Sequence, residues 1–222
     1  AQTYKSLPGR IEAEDYVAMS GIGTETTADN GGGLDIGWIG DKSWMDYHVN
    51  IAAEGYYTFT LRISNGFSPD AAISLRSANG TVLAQTILPQ TGGMQGWQSV
   101  RMIAFLPAGN QTLRFYAEKG TFGFNWFEAQ ASKSAAGKIE AEHYDFMYGV
   151  QTEITGDTLG GMNVGFIDDG DWMDYNLKTA SAGLYTFHLR VANSYGYGII
   201  EIKDFNNHVL GEVSVPQTGG WQ

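Results

Sequence analysis

The eleven residues GWIGDKSWMDY at 37–47 return as GFIDDGDWMDY at 165–175. One offset of 128 residues also relates Ile11 of IEAEDY to Ile139 of IEAEHY, and Asp46 to Asp174. Repeats of roughly 20–50 residues build solenoids or propellers, because no single unit can bury a core; a unit of this length can bury its own. A chain of 222 residues with this period is therefore expected to form two similar domains. They are residues 1–131 and residues 138–222, joined through the small, polar stretch QASKSAAGK, with 132–137 as the linker. The second copy is shorter. VPQTGGWQ at 215–222 answers LPQTGGMQ at 88–95, and nothing answers residues 96–130, so the second domain is expected to be C-terminally incomplete in this chain.

Strict alternation dominates within each copy. In GYYTFTLRISN, Tyr57, Phe59, Leu61 and Ile63 share one face, while Tyr56, Thr58, Thr60 and Arg62 share the other. GLYTFHLRVAN repeats the pattern with Tyr185, Phe187, Leu189 and Val191, so both stretches predict half-buried strands. Further period-two runs at 71–76, 81–88, 97–106, 111–118 and 121–129 are separated by NG, PQTGG and PAGN turns. No stretch carries a sustained helical period. The fold class is all-β, an antiparallel β-sandwich of jelly-roll or Ig-like type in each of two tandem domains.

Charge and composition exclude several functions. With 24 acidic against 13 basic residues the net charge is −11, which opposes nucleic acid and anionic membranes as partners. The absence of cysteine removes disulfides and thiol catalysis. No apolar run approaches the roughly 20 residues of a membrane helix. The opening AQTYKS carries no signal peptide and reads either as a mature N-terminus or as a point inside a longer protein. His48, His143, His188 and His208 are scattered without metal-ligand spacing, and neither a nucleophile elbow nor a phosphate loop is present. A pair of carboxylates flanking a cleft would suit a glycosidase, but the loops are too short to build a substrate cleft around one.

The ordered series GRIEAEDYVAMSGIGTETTADNGGGLDIGWIGDKSWMDYHV, AEGYYTFTLRIS, PQTGG, PAGNQTLRFY and FNWFEA closely resembles a family 6 carbohydrate-binding module, and the second copy resembles it as far as it runs. The resemblance implies a jelly-roll sandwich secreted by a bacterium and attached to a polysaccharide-degrading enzyme, here a glycoside hydrolase. It also implies a structural calcium, and polysaccharide or oligosaccharide bound either in loops at one edge or on the concave face. Trp38 matches the family's loop-borne stacking aromatic, and Phe166 takes that place in the second copy. Trp221 matches the Trp of TGGW; the first copy has Met94 there, with Trp97 either a substitute wall or the start of a buried strand. Asn125 matches a sugar-binding Asn or else satisfies a turn, and Gly123 departs from the family's FNxNW pattern. Trp44 and Trp172, alternating with Asp46 and Asp174, either pack or line a second, concave-face cleft.

The carboxylates of IEAE, Glu12 with Glu14 and Glu140 with Glu142, are two apart, so on a strand each pair would project to one side. Adjacent anions need a cation or a basic side chain between them, and oxygen-only ligation suits calcium; the alternative is an exposed acidic edge. Glu128 matches the acidic residue that the family's last strand contributes to its calcium site.

Overall fold

The structure is a computed structural model that describes residues 2–158 and 160–221. Two compact units emerge, residues 1–134 with 176–178 and residues 135–175 with 179–222.

The first unit contains β1 (Lys5–Leu7), β2 (Gly9–Glu12), β3 (Ala18–Ser20), β4 (Gly23–Thr26), β5 (Leu34–Ile39) and β6 (Trp44–Ile51). These are followed by β7 (Gly55–Ser64), β8 (Ala72–Ser77), β9 (Val82–Ile87), β10 (Trp97–Leu106), β11 (Gly109–Lys119) and β12 (Phe122–Ala131). One sheet runs β1-β6-β11-β8-β9 with β3 beside β6; the other runs β10-β7-β12-β5-β4 with β2 beside β12. Alternation decides which side chains meet between the sheets. Tyr57, Phe59, Leu61 and Ile63 are fully buried, opposite Met45, Tyr47, Val49, Leu113 and Phe115. Five aromatic rings, Tyr47, Phe59, Phe115, Phe124 and Phe127, form the centre, Phe115 and Phe127 being 4.8 Å apart between ring centroids. The buried Tyr47 hydroxyl donates to the Ala13 carbonyl at 2.6 Å, which satisfies the one polar atom the motif WMDY brings inside.

The second unit departs from expectation. Residues 185–191, read as a strand, form none, and Tyr185, Phe187 and Leu189 are 43–51% exposed. The reason lies in the pairing of their first-copy counterparts. β7 is held on one edge by β10 over its whole length and on the other by β12, and residues answering β10 to β12 do not occur in this sequence. Tyr185, Phe187, Leu189 and Val191 therefore line an open apolar cavity of about 410 Å³ with Ile202, Leu210 and Val213. Two local pairings do follow the first copy: Gln151↔Gly165 repeats Gly23↔Gly37, and Phe146↔Asp174 repeats Ala18↔Asp46.

Within the stretch read as a linker, Lys133–Ser134 form a short parallel pairing with Leu177–Lys178. Its register copies Lys5↔Val49 in β1 and β6, 128 residues on. The Lys-Ser dipeptide is repeated with the rest.

Amide hydrogen exchange separates the two copies. Backbone amides of Phe59, Leu61 and Ile63 are expected to exchange only through global unfolding, and those of Phe187, Leu189 and Val191 to exchange orders of magnitude faster. Phe115→Ala is expected to cost about 3–5 kcal/mol in denaturant melts, read on the transition of the first unit.

Candidate functional site

Ile36 and Ile39 are both fully buried although they are three residues apart. A regular strand would turn one of them outward. The extra residue is absorbed at Trp38, whose φ of 55° lies in the left-handed region, and the β12 ladder slips there, Phe124 facing Ile36 and Phe122 facing Ile39. The bulge turns the indole outward, 65% exposed. A bulky residue at positive φ costs of order 1–3 kcal/mol and persists only where packing enforces it. Phe166 repeats the feature, with φ 58° and 63% exposure.

A row of small residues crosses the same end of the sheet. Trp97 opens β10 opposite Ser64 of β7, and Ser64 faces Gly123 of β12. The Trp97 ring lies over Gly123, where a Cβ would come 3.3 Å from the indole and 2.3 Å from Ser64 Oγ. On the far side Trp38 lies over Gly23, where a Cβ would meet its ring at 2.8 Å. Three strand spacings separate the two aromatic positions, roughly 14 Å between backbones. Between them Glu25 folds across Gly37, its Oε1 2.8 Å from where a Cβ would stand. The result is a slot with an indole at each side, glycine beneath and polar groups along one rim.

Those polar groups are tied together. Gln95 Nε2 donates to Asp35 Oδ2 at 3.2 Å and to Glu25 Oε1 at 3.4 Å, and its Oε1 accepts from the Trp97 indole N–H at 3.2 Å. Asp35 is fully buried with Oδ1 unpartnered, and burial raises its carboxyl above the ordinary value despite bonds from Gln95 and Thr27. Below lies the pair Arg62–Asp29, bidentate at 2.6 and 2.8 Å, which holds the Asp29 carboxyl below its usual value. Asn125 sits at a second bulge, between Phe124 and Trp126, and its amide donates to Asp29 Oδ2 at 2.9 Å. It is buried, and the bond to Asp29 ties it to the ion pair with Arg62.

The first-copy residues Trp38, Trp97 and Asn125 thus gather at one end of one sheet. Met94 contributes its backbone, the carbonyl accepting from Ser64 Oγ at 2.6 Å, while Trp97 supplies the second wall. Gly123, a departure in sequence, is what admits the Trp97 ring. Glu25 and Gln95 were not singled out from sequence; the signal available was the alternation Gly23, Glu25 against Asp35, Gly37. In the second copy Glu153 folds over Gly165 and accepts from Asn163, whose Oδ1 is buried without a partner, as Asp35 Oδ1 is in the first. Arg190 pairs with Asp157 as Arg62 does with Asp29, and Trp221 packs edge-on against Tyr195.

Trp44 lies on the other sheet. The Arg114 guanidinium covers its ring at 3.8 Å while binding Asp46 through two bonds of 2.7 and 2.8 Å, and Arg76 covers Tyr116 in the same way at 3.8 Å. In the second copy Trp172 stacks on Tyr148, with centroids 6.5 Å apart.

The IEAE carboxylates are not two residues of one strand. β2 ends at Glu12, and Glu14 lies in the 3-10 turn Ala13–Asp15 that Tyr47 anchors; Glu140 likewise precedes the turn Ala141–His143 that holds Glu142. Glu12 pairs with Arg10 at 3.0 Å and Glu140 with Lys138 at 2.5 Å. Glu128 lies opposite Arg10 and accepts from Gln130 at 3.5 Å, and among the described residues no three acidic or histidine side chains converge on a metal site. Glu14 is different. Its Oε2 is buried without a partner, and burial, together with Glu12, Asp15 and Asp35, raises its carboxyl above the ordinary value. An orphaned carboxylate oxygen among other anions fits a hard cation.

Two stability measurements test this geometry. Gly123→Ala is expected to destabilise the first unit by about 1–3 kcal/mol through overpacking and to shift the Trp97 fluorescence. Asp35 carries a raised carboxyl, so its stabilising contribution is complete below the ordinary aspartate value and lost as pH rises through the raised one. Asp35→Asn, the residue the second copy has, is expected to remove that loss and to melt a few degrees above wild type at pH 7 but not at pH 3.

The profile of the carbohydrate binding module (family 6) matches residues 12–131 and 140–222. Among curated relatives, the clotting factor G alpha subunit of Tachypleus tridentatus is 30% identical across 98% of this chain and 34% of its own length. Endo-1,4-beta-xylanase A of Thermoclostridium stercorarium is 25% identical across 95% of this chain and 34% of its own. The chain thus spans about a third of the length of these relatives. Among solved structures, a beta-1,3-glucan binding family 6 module from Bacillus halodurans is 35% identical with a TM-score of 0.55, covering 58% of this chain and 100% of that one. A family 6 module of Cellvibrio mixtus lichenase 5A, in complex with cellotriose, is 30% identical with a TM-score of 0.54, covering 57% of this chain and 98% of that one. The chain belongs to the family 6 carbohydrate-binding modules, a non-catalytic family, and matches it over both copies of its repeat.

Proposed function

We propose that this chain is the polysaccharide-binding part of a larger secreted protein, two modules in tandem that hold an appended glycoside hydrolase on its substrate, with β-glucan as the favoured ligand. The slot between Trp38 and Trp97 carries the reading. A pyranose ring presents apolar C–H faces and a polar rim, and here indoles seated over glycines stand at the sides while Glu25 and Gln95 line the edge. Support for β-glucan comes from the 35% identical beta-1,3-glucan binding module and from the cellotriose complex. Support for an attached hydrolase comes from the xylanase relative, of which this chain matches only a third. Two modules convert a second contact into an intramolecular one, so weak sites sum to firm attachment when both reach one polymer.

A structural calcium belongs to the same proposal. Glu14, with Glu12 beside it, would hold the ion in the turn after β2, and its charge would offset the buried anion there. Its part is to stabilise the turn, with no role in contacting sugar.

Affinity gels and calorimetry against β-1,3-glucan, mixed-linkage glucan, xylan and agarose test the reading. Trp38→Ala and Trp97→Ala are each expected to weaken binding to the preferred polymer by about tenfold or more with the fold retained; Phe166→Ala and Trp221→Ala report on the second module. A folded, calcium-loaded protein that binds none of these polymers would overturn it. For calcium, chelation is expected to lower Tm by several degrees in wild type and to leave Glu14→Gln unchanged. Equal melting with and without chelator in both proteins would dismiss the ion.

A further inference from the structure

β10 and the β4–β5 hairpin stand at opposite edges of their sheet, so the ladder spaces their backbones while nothing in it orients the Trp97 side chain against the rim on β4 and β5. One side chain crosses between them. Gln95 Oε1 accepts from the Ala28 amide at 2.7 Å and from the Trp97 indole at 3.2 Å; its Nε2 donates to Asp35 Oδ2 at 3.2 Å and Glu25 Oε1 at 3.4 Å. All four hydrogen-bonding positions of the amide are used. Its orientation is fixed as well, since a flip would set the NH₂ group against two N–H donors and the oxygen against two carboxylates.

The loop that carries Gln95 is itself anchored. Thr91 N–H donates to the Asn65 carbonyl and Thr91 Oγ1 accepts from the Asn65 amide, both at 2.8 Å. Gly96 closes the turn so tightly that a Cβ would stand 2.5 Å from the Thr91 carbonyl oxygen. Gln95 therefore reaches out from a base fixed to the end of β7 and ties three pieces of chain: the loop after β4, the paired acids of β4 and β5, and the first residue of β10.

We infer that Gln95 is the positioning residue of the slot, a strut that sets the orientation of the Trp97 indole and the spacing between that wall and the Glu25–Asp35 rim. This rests on the carbohydrate reading of the slot for its consequence in binding, but not for the strut itself. Gln95 is exposed and outside the core, and three of its four bonds are exposed, so its loss is expected to leave the fold in place. Its effect on affinity is larger, because a site held loosely must be ordered by each ligand that enters.

The test uses the whole chain with Gln95→Ala and Gln95→Glu, and soluble β-1,3-glucan oligosaccharide as the probe. Without any ligand, the alanine variant is expected to speed hydrogen exchange at the Trp97 indole N–H and shift its NMR resonance. The glutamate variant, which keeps an acceptor for the indole but loses both donors to the acids, is expected to keep that protection. Both are expected to bind the oligosaccharide about tenfold or more weakly, with Tm within a few degrees of wild type. Unchanged indole exchange in Gln95→Ala overturns the strut, and so does unchanged affinity once protection has been lost. A wild-type protein that binds no oligosaccharide overturns the carbohydrate reading instead, and the indole measurement still decides the strut.

Discussion

Burial of one face of β7 by strands on both of its edges is the interaction on which the rest of the first module depends. Tyr57, Phe59, Leu61 and Ile63 each contribute about 1.5–3 kcal/mol when fully buried, and they are buried because β10 and β12 flank the strand and β6 and β11 close the other side. The second copy has the same alternation in GLYTFHLRVAN, without strands on its edges among the described residues. Its tyrosine, phenylalanine and leucine stand open. Alternation thus specifies a strand only in company, since a pleated face gains nothing until something covers it.

The same three-strand contact builds the slot. Where β7 ends, Ser64 lies between Trp97 and Gly123, so pairing that exists to bury a core also sets an indole beside a glycine on the outer face. Two bulges complete the arrangement. At Trp38 the extra residue lets Ile36 and Ile39 both face inward while the indole faces out; at Asn125 it lets the core continue through Phe124 and Phe127 while an amide drops onto Asp29. Regular strands would have placed either an aromatic inside or an isoleucine outside. Irregularity at this end is how one sequence serves a packed interior and a receptive surface together.

Much of this was legible in the sequence because it is carried by period. Alternation located the first module's strands to within a few residues, and the 128-residue offset located the second copy. The outward aromatics Trp38 and Phe166 were visible through the family pattern. What period does not carry was less visible. Glu14 leaves its strand where Tyr47, 34 residues away on the other sheet, holds the preceding carbonyl, a long-range contact with no local signature. Gly123 read as a loss in the sequence, yet it is the space that Trp97 fills. Gln95 reads as one polar residue in a turn until the fold brings Ala28, Asp35 and Glu25 to it from some 60–70 positions away in the chain.

The two copies, compared position by position, indicate which features of the slot are required. The acid over the glycine is kept, as Glu25 over Gly37 and Glu153 over Gly165, and so is the ion pair below it, Arg62–Asp29 and Arg190–Asp157. Asp35 becomes Asn163. In both, an oxygen of that side chain is buried and accepts nothing. A buried acceptor without a donor costs stability whether or not it is charged, so the charge is the dispensable part and the oxygen the retained one. An aspartate at this place adds a penalty that grows as pH rises, whereas an asparagine keeps the oxygen and adds a donor that meets Glu153. The position therefore preserves an open acceptor next to the polar rim, set by both copies beside the same acid, and the two modules differ in the charge they place behind it.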